Sequence, residues 1–179
     1  AGLRLTSISF AGGTVWDTGD LTARLVPDVA TDGNDLVENP VTANTYELGL
    51  GDDVIITSGF ADVYVYNNGD GHDVIAEGGS NGIDGDRLRL PDLTAQDIRF
   101  ARDADDLLIV IDENATTGAV AGSLRLVDAF LSTSSDSTLI EHIIFSDGSI
   151  LTIEAVMQGL VDAAATSADD VIAGTPFDD

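Results

Sequence analysis

The sequence predicts a mainly β protein: a short parallel β-roll continued by an antiparallel β segment, with one or two short helices. Three observations predict this fold. Glycine and aspartate recur at nine- and eighteen-residue intervals in residues 30–86. Short runs rich in β-branched and aliphatic residues follow in residues 87–152. Residues 153–164 then place apolar side chains at the i, i+3, i+4 spacing of an amphipathic helix, with Thr152 as its expected N-cap.

The composition limits the classes of partner. The net charge is −25, and all seven basic residues are arginines. Nucleic acids and anionic membrane surfaces are poor partners for such a chain, because phosphate contacts need patches of Lys and Arg. The sequence has no stretch of 18 apolar residues, so we expect no membrane insertion. It also has no cysteine, and a bound metal is the usual substitute for disulfides in small secreted domains.

The chain repeats itself at an offset of 135 residues. Ile143, Phe145 and Gly148 align with Ile8, Phe10 and Gly13, and a similar order of strand, turn, helix and Asp-rich loop follows each set. We therefore expect four parts. They are the tail of a preceding repeat unit (1–29), a metal-binding β-roll (30–86), an antiparallel β segment that extends and caps the roll (87–152), and a helix with the start of the next roll (153–179).

The roll segment contains a repeated motif of the form G-x-D-x-U, in which U is a large aliphatic residue. Its aspartates are Asp35, Asp53 and Asp73, spaced 18 and 20 residues apart, and we call them the first series. Halfway between them lie Asn44 and Asp62, and one further step reaches a third member. The second series is Asn44, Asp62 and Asp84.

The spacing has a physical explanation. A nine-residue unit can form one loop and one short strand, and two units form one coil, so residues 18 apart lie one inter-strand distance apart. Stacked carboxylates that close repel each other unless a cation lies between them. Glycine allows positive φ and lets loop carbonyls turn toward the same point. An all-oxygen cage of this kind suits a hard cation such as calcium.

This pattern resembles the RTX, or haemolysin-type calcium-binding, nonapeptide repeat, G-G-x-G-x-D-x-U-x. The stretches Asp62–Ile75, Asp97–Ile111 and Ile140–Ile150 resemble the haemolysin-type calcium-binding-related region. The resemblance implies a parallel β-roll that binds several Ca²⁺ ions and folds on binding them. It also implies export by bacterial type I secretion into calcium-rich surroundings.

The resemblance also implies a set of ligands. Asp35, Asp53 and Asp73 would be the side-chain ligands, and Asp32 and Asp70 occupy the motif position whose backbone carbonyl ligates. The loops that supply further carbonyls are marked by Gly33, Gly49, Gly51, Gly69 and Gly71.

The second series departs from the motif. Asn44 replaces an aspartate, while Thr42 and Phe60 replace loop glycines. We therefore expect well-formed calcium sites on the first series and weak sites, or none, at Asp62 and Asp84. Tyr46 and Tyr64 fall one coil apart and are expected to stack.

Two functions remain open from the sequence. The first is a calcium-binding structural repeat module of a large secreted or cell-surface protein, which folds after export and contacts neighbouring repeat units. The second is a calcium-dependent adhesin module that binds glycan or a cell surface, with Trp16 and the tyrosines as a platform. An enzyme is not expected in this segment, because His72 occupies a variable loop position. For Asp103–Asp106, a hairpin turn is expected rather than a metal cluster.

Overall fold

A computed structural model describes residues 6–20, 31–38, 43–57, 59–78, 85–112, 120–131, 140–165 and 174. Within these ranges the protein is mainly β, as the sequence predicts. The strands are β1 (Ser7–Ser9), β2 (Val15–Asp17), β3 (Leu36–Glu38), β4 (Thr45–Glu47), β5 (Val54–Ile56), β6 (Val63–Val65), β7 (His72–Ala76), β8 (Asp86–Leu90), β9 (Ile98–Asp103), β10 (Asp106–Asp112), β11 (Val120–Leu126), β12 (Ile140–Phe145) and β13 (Ile150–Thr152).

Successive strands of the repeat segment alternate between two sheets. One sheet has the order β3-β5-β7-β11-β10-β9 and the other β13-β12-β8-β6-β4. β3, β5 and β7 pair in parallel, and so do β4, β6 and β8. Each coil therefore contributes one strand to each sheet, and the predicted parallel β-roll is confirmed.

The U residues of the motif form the interior of the roll. Ile55 and Ile75 pair across β5 and β7, and both are buried. In the other sheet, Tyr46 and Tyr64 pair across β4 and β6, with ring centroids 5.4 Å apart and planes inclined by 19°. The predicted tyrosine stack is confirmed. Leu88 extends this buried row into β8.

The segment after the roll pairs antiparallel within itself and parallel with the last strands of the roll. β9, β10 and β11 form an antiparallel meander, and β12 and β13 form a hairpin. However, β11 joins β7 in parallel and β12 joins β8 in parallel. The segment thus continues both sheets of the roll. Each parallel pair covers a strand edge that the last coil would otherwise leave open.

Local signals account for the turns and the helix. Gly148 has φ +81° in the β12–β13 turn, where the Asp147-Gly148 pair predicts a hairpin. The C-terminal helix (Ile153–Ala164) begins after Thr152, whose side chain accepts the Ala155 N–H. Its buried side chains are Ile153, Val156 and Met157.

The Asp103–Asp106 stretch forms the turn between β9 and β10, as expected. The guanidinium of Arg125 lies 2.6 Å from the carboxylates of both Asp103 and Asp106. These two carboxylates therefore form ion pairs with Arg125 across the meander.

The remaining described residues add a small hairpin near the start of the chain. β1 and β2 pair antiparallel, and the rings of Phe10 and Trp16 pack edge to face with their centroids 4.5 Å apart. A short helix is predicted near Asp17–Val26; Thr18–Asp20 are helical, and the rest of that prediction lies outside the described residues. The expected start of a next roll also lies outside them, except for Gly174. No helix in the described ranges has the length and apolarity needed to cross a membrane.

Candidate metal centre

Each sheet of the roll carries a ladder of carboxylates that bind backbone N–H groups of the preceding coil. In the first ladder, Asp35 N–H donates to Asp53 Oδ1 and Asp53 N–H donates to Asp73 Oδ1, both at 2.8 Å. In the second ladder, Asn44 N–H donates to Asp62 Oδ1 at 2.8 Å. The stacking predicted from the eighteen-residue spacing is therefore present on both faces of the roll.

The next rung of the second ladder is Asp86, which the sequence analysis missed. Asp62 N–H donates to Asp86 Oδ1 at 2.6 Å, and Val63 pairs with Arg87 in the strand register. Asp84, the predicted rung, lies outside the described residues. The signal was available in the sequence: Asp86-Arg87-Leu88 has the D-x-U form, whereas the residue two positions after Asp84 is another aspartate.

The two ladders end differently. Glu141 continues the second ladder, because its carboxylate accepts the N–H of Asp86. Glu141-His142-Ile143 repeats the same pattern with glutamate in the acidic position, and Ile143 pairs with Leu88. In the first ladder the position beside Asp73 is occupied by Leu124 of β11. Among the described residues the second ladder therefore has four rungs, one of them Asn44, and the first ladder has three.

The ladder carboxylates are buried, and several of their oxygens have no partner. The exposed fractions of Asp53, Asp62, Asp73 and Asp86 are 2%, 0%, 1% and 0%. The Oδ2 atoms of Asp53, Asp62 and Asp73 are buried without a hydrogen-bond partner in the described part of the chain. Buried polar atoms of native proteins are normally paired, and a buried carboxylate is costly unless it is neutralised or coordinates a metal.

Burial also shifts the protonation of these groups. It raises the pKa of Asp62 and of Asp73 to about 7, and that of Asp86 to about 8. It raises the pKa of Asp53 as well, and the neighbouring charge of Asp35 adds to that shift. A cation placed against these oxygens would oppose the shifts by stabilising the ionised form. The orphaned oxygens and the all-oxygen chemistry fit calcium, and the ladder aspartates are the residues that would hold it.

The glycines of the first ladder allow adjacent loops to stack closely. Gly51 has φ +123°, and a Cβ there would lie 2.7 Å from the backbone of Gly33. Gly71 has φ +126°, and a Cβ there would lie 1.7 Å from the carbonyl oxygen of Gly51. Gly49 and Gly69 also have positive φ. The structure therefore places Gly33, Gly51 and Gly71 one above another in stacked loops.

Three predicted aspartates are not interior rungs. Asp35 is the first rung of the first ladder among the described residues, and its Oδ2 accepts the Thr31 N–H at 2.6 Å. Asp70 is buried, but its carboxylate accepts the Asn67 N–H at 2.7 Å within its own turn. Asp32 is exposed. The side chains of Asp35 and Asp70 thus accept hydrogen bonds within their own loops, and the predicted role of Asp32 and Asp70 as carbonyl donors stays a prediction.

One group of three carboxylates could hold a metal ion within the described residues, and it lies on the second ladder. Asp62, Glu77 and Asp86 each offer an oxygen, and the three oxygens lie within 4.8 Å of one another. Sequence analysis missed Glu77, because it follows β7 at a position outside the ladder series. The expectation of better sites on the first ladder stays a prediction.

Comparison with known proteins bears on the segment that closes the roll. Residues 106–155 match a family model, and no curated protein matches the chain. The matched segment contains β11, which pairs with β7 in one sheet of the roll, and β12, which pairs with β8 in the other. It also includes Glu141 of the second ladder. The match supports calcium binding, in agreement with the orphaned carboxylate oxygens. Residues 106–155 are thus similar to the haemolysin-type calcium binding protein related domain.

Proposed function

We propose that this chain is a structural repeat module of a secreted or cell-surface protein, and that calcium ions bound to its carboxylate ladders complete the fold after export. One observation carries the proposal. The Oδ2 atoms of Asp53, Asp62 and Asp73 are buried inside the roll with no hydrogen-bond partner among the described residues. A bound calcium ion would supply the missing partner and the balancing charge.

The stacked arrangement couples calcium binding to folding. Asp53 and Asp73 come from successive coils, and they lie beside each other only when β5 and β7 are paired. A preformed site of this kind does not exist in the unfolded chain, so the free energy of calcium binding becomes free energy of folding. With a net charge of −25, the calcium-free chain also resists compaction through self-repulsion.

The family match supports an extracellular setting for this switch. Extracellular calcium modules bind with dissociation constants of about 10⁻⁴ to 10⁻³ M, so a chain of this type stays unfolded where calcium is scarce and folds where it is abundant. Export through a type I secretion system, contact with neighbouring repeat units and the absence of a catalytic step in this segment are parts of the same proposal.

The adhesin alternative receives less support from the tyrosines. Tyr46, Tyr64 and Tyr66 have exposed fractions of 2%, 0% and 0%, so they form the interior of the roll. They do not form a platform on which a sugar ring could stack.

Circular dichroism tests the proposal. The chain is stripped of calcium with EGTA, and the β signal is followed as calcium is added back, with magnesium as the control cation. We expect the signal to be largely lost in EGTA and restored by millimolar calcium, but not by equal magnesium. A β spectrum that is the same in EGTA and in calcium would refute the proposal.

A further inference from the structure

The geometry points to a calcium site inside the second ladder that is built from the side chains of Asp62, Glu77 and Asp86. We infer that Glu77 supplies a third carboxylate at this site, where the sequence motif lacks the loop glycines of the first ladder. The inference rests on the proposed function, because it specifies the ligands of one calcium ion among those that would complete the roll.

Two buried hydroxyl groups hold Glu77 in place. Its Oε2 accepts the hydroxyl of Thr57 at 2.7 Å and also accepts the hydroxyl of Tyr64. Thr57 is 4% exposed and Tyr64 is fully buried, so both donors are themselves fixed by packing. The two hydroxyls also lie 2.7 Å from each other. This arrangement orients the glutamate carboxylate without neutralising it, because both groups are uncharged donors.

Two oxygens of this cluster lack hydrogen-bond partners among the described residues. Glu77 Oε1 and Asp62 Oδ2 are buried, and neither has a hydrogen-bond partner within the described ranges. Asp62 has an exposed fraction of 0%, so water cannot reach it from outside. Three carboxylates this close would repel one another strongly if all were ionised in the absence of a cation. A cation at their centre removes the repulsion and supplies the missing partner.

The ligand chemistry selects the kind of cation. All three ligands are carboxylate oxygens, which favour hard cations over zinc or copper. Ligands on opposite sides of a calcium ion lie about 5 Å apart, since each Ca–O distance is about 2.3–2.6 Å, whereas magnesium requires about 2.0–2.1 Å. The three oxygens lie within 4.8 Å of one another, so all of them can reach one calcium ion. Calcium also tolerates irregular geometry, which suits one ligand at the start of β8 and two ligands that lie just before β6 and just after β7.

The position of Glu77 explains why the motif did not reveal it. It lies four residues after Asp73, at the place where Thr57 lies four residues after Asp53. Thr57 N–H donates to the Ala76 carbonyl at 3.0 Å, so the two positions are stacked on successive coils. Glu77 directly follows β7, which lies in the same sheet as β3 and β5, at the point where the chain leaves that sheet. Its side chain therefore reaches the second ladder although its strand belongs to the first sheet.

The test counts bound calcium ions by native mass spectrometry and measures their affinities by calorimetry, using the whole chain. The variant is Glu77→Gln, which keeps an oxygen able to accept from Thr57 and Tyr64. The matched control is Glu154→Gln, the same change at an exposed position of the C-terminal helix. We expect Glu77→Gln to bind one calcium ion fewer than the wild type, or to bind one ion at least tenfold more weakly. Glu154→Gln should match the wild type.

Asp53→Asn distinguishes the two ladders. It should weaken calcium binding on the first ladder, and its effect should add to that of Glu77→Gln in the double variant. If Glu77→Gln keeps the wild-type ion count and affinities, the inference is wrong, while the proposed function stands. If the wild type binds no calcium, the proposed function itself fails.

A second measurement covers the case in which Glu77→Gln does not fold. Terbium replaces calcium, and its emission is excited through tyrosine in the wild type and in Tyr64→Phe. Because the Tyr64 hydroxyl contacts Glu77, an ion at this site should emit under tyrosine excitation, and Tyr64→Phe should lower that emission. Equal emission from both proteins would overturn the inference.

Discussion

The backbone N–H of Asp62 donates to Oδ1 of Asp86 at 2.6 Å, across 24 residues of sequence. This contact makes Asp86 the rung that follows Asp62 in the described part of the chain, while the predicted role of Asp84 stays a prediction. We therefore expect Asp86→Asn to raise the calcium concentration at which half of the protein is folded by about tenfold. This corresponds to a loss of roughly 1.4 kcal/mol of binding free energy, because asparagine keeps the oxygen that accepts the N–H but loses the charge. Asp84→Asn is the comparison, and calcium titrations followed by circular dichroism measure both. A larger effect at position 84 would contradict the ladder described here.

Loop stacking predicts a difference between two glycines with similar backbone angles. Gly71 and Gly69 have φ +126° and +96°, so alanine is strained at both. At Gly71 the new Cβ would collide with a neighbouring coil, 1.7 Å from the Gly51 oxygen, whereas no described residue lies within 4 Å of a Cβ at Gly69.

We expect Gly69→Ala to cost about 1–2 kcal/mol of stability from backbone strain alone. Gly71→Ala should cost about 2–3 kcal/mol more, because the coils must also separate. Urea denaturation in saturating calcium measures the two costs. Equal losses would show that strain, and not coil stacking, explains the glycine at position 71.

The repeat spacing predicted most of the roll because it depends on one local rule. Each nine-residue unit places one apolar residue inside, two positions after the acidic one, as at Ile55 and Ile75. That rule determines the strand order, the parallel pairing and the tyrosine stack without knowledge of distant contacts. Asn44 also becomes understandable. It is the first rung of the second ladder among the described residues, and its N–H still donates to Asp62, so this position needs no carboxylate for the bond.

The rest of the site depends on contacts between residues far apart in sequence. Glu77 reaches the second ladder only because its coil stacks on Thr57, and periodicity alone does not reveal this. Glu141 joins the ladder only because β12 pairs in parallel with β8, and the strand patterns of residues 87–152 do not indicate which partner each strand selects. Local patterns thus predict the units, while long-range pairing decides how the last units close the roll.

The raised pKa values predict that acid stabilises the calcium-free roll. The pKa of Asp62 is about 7 and that of Asp86 about 8 in the folded protein, against about 4 for an unfolded chain. For groups whose pKa is raised by folding, the stabilisation is complete below the unfolded value and is lost as pH rises through the folded value. The calcium-free protein should therefore be more stable at pH 5 than at pH 8.

The β circular dichroism signal of the calcium-depleted protein, followed over this pH range, checks the prediction, because the folded fraction should be larger at pH 5 than at pH 8. The double variant Asp62→Asn/Asp86→Asn should show a shallower pH dependence, because asparagine does not titrate. In saturating calcium the trend should reverse, since protons then compete with the cation for the same oxygens. Calcium-free stability that rises from pH 5 to pH 8 would show that these carboxyls are not destabilised by burial.

Glu141 links the matched domain to the roll, and its removal should weaken the last rung. Glu141→Ala removes the carboxylate that accepts the N–H of Asp86, and Asp86 itself is 0% exposed. An unsatisfied buried donor costs about 1–3 kcal/mol, so we expect a loss of that size in saturating calcium. Glu141→Gln retains an acceptor oxygen and should lose less. Hydrogen exchange at the Asp86 amide provides a local measurement: exchange should accelerate in Glu141→Ala, while the Asp53 amide, bonded to Asp73, should change little. If the Asp86 amide exchanged at the wild-type rate in Glu141→Ala, the second ladder would end at Asp86, and the domain would be joined to the roll by strand pairing alone.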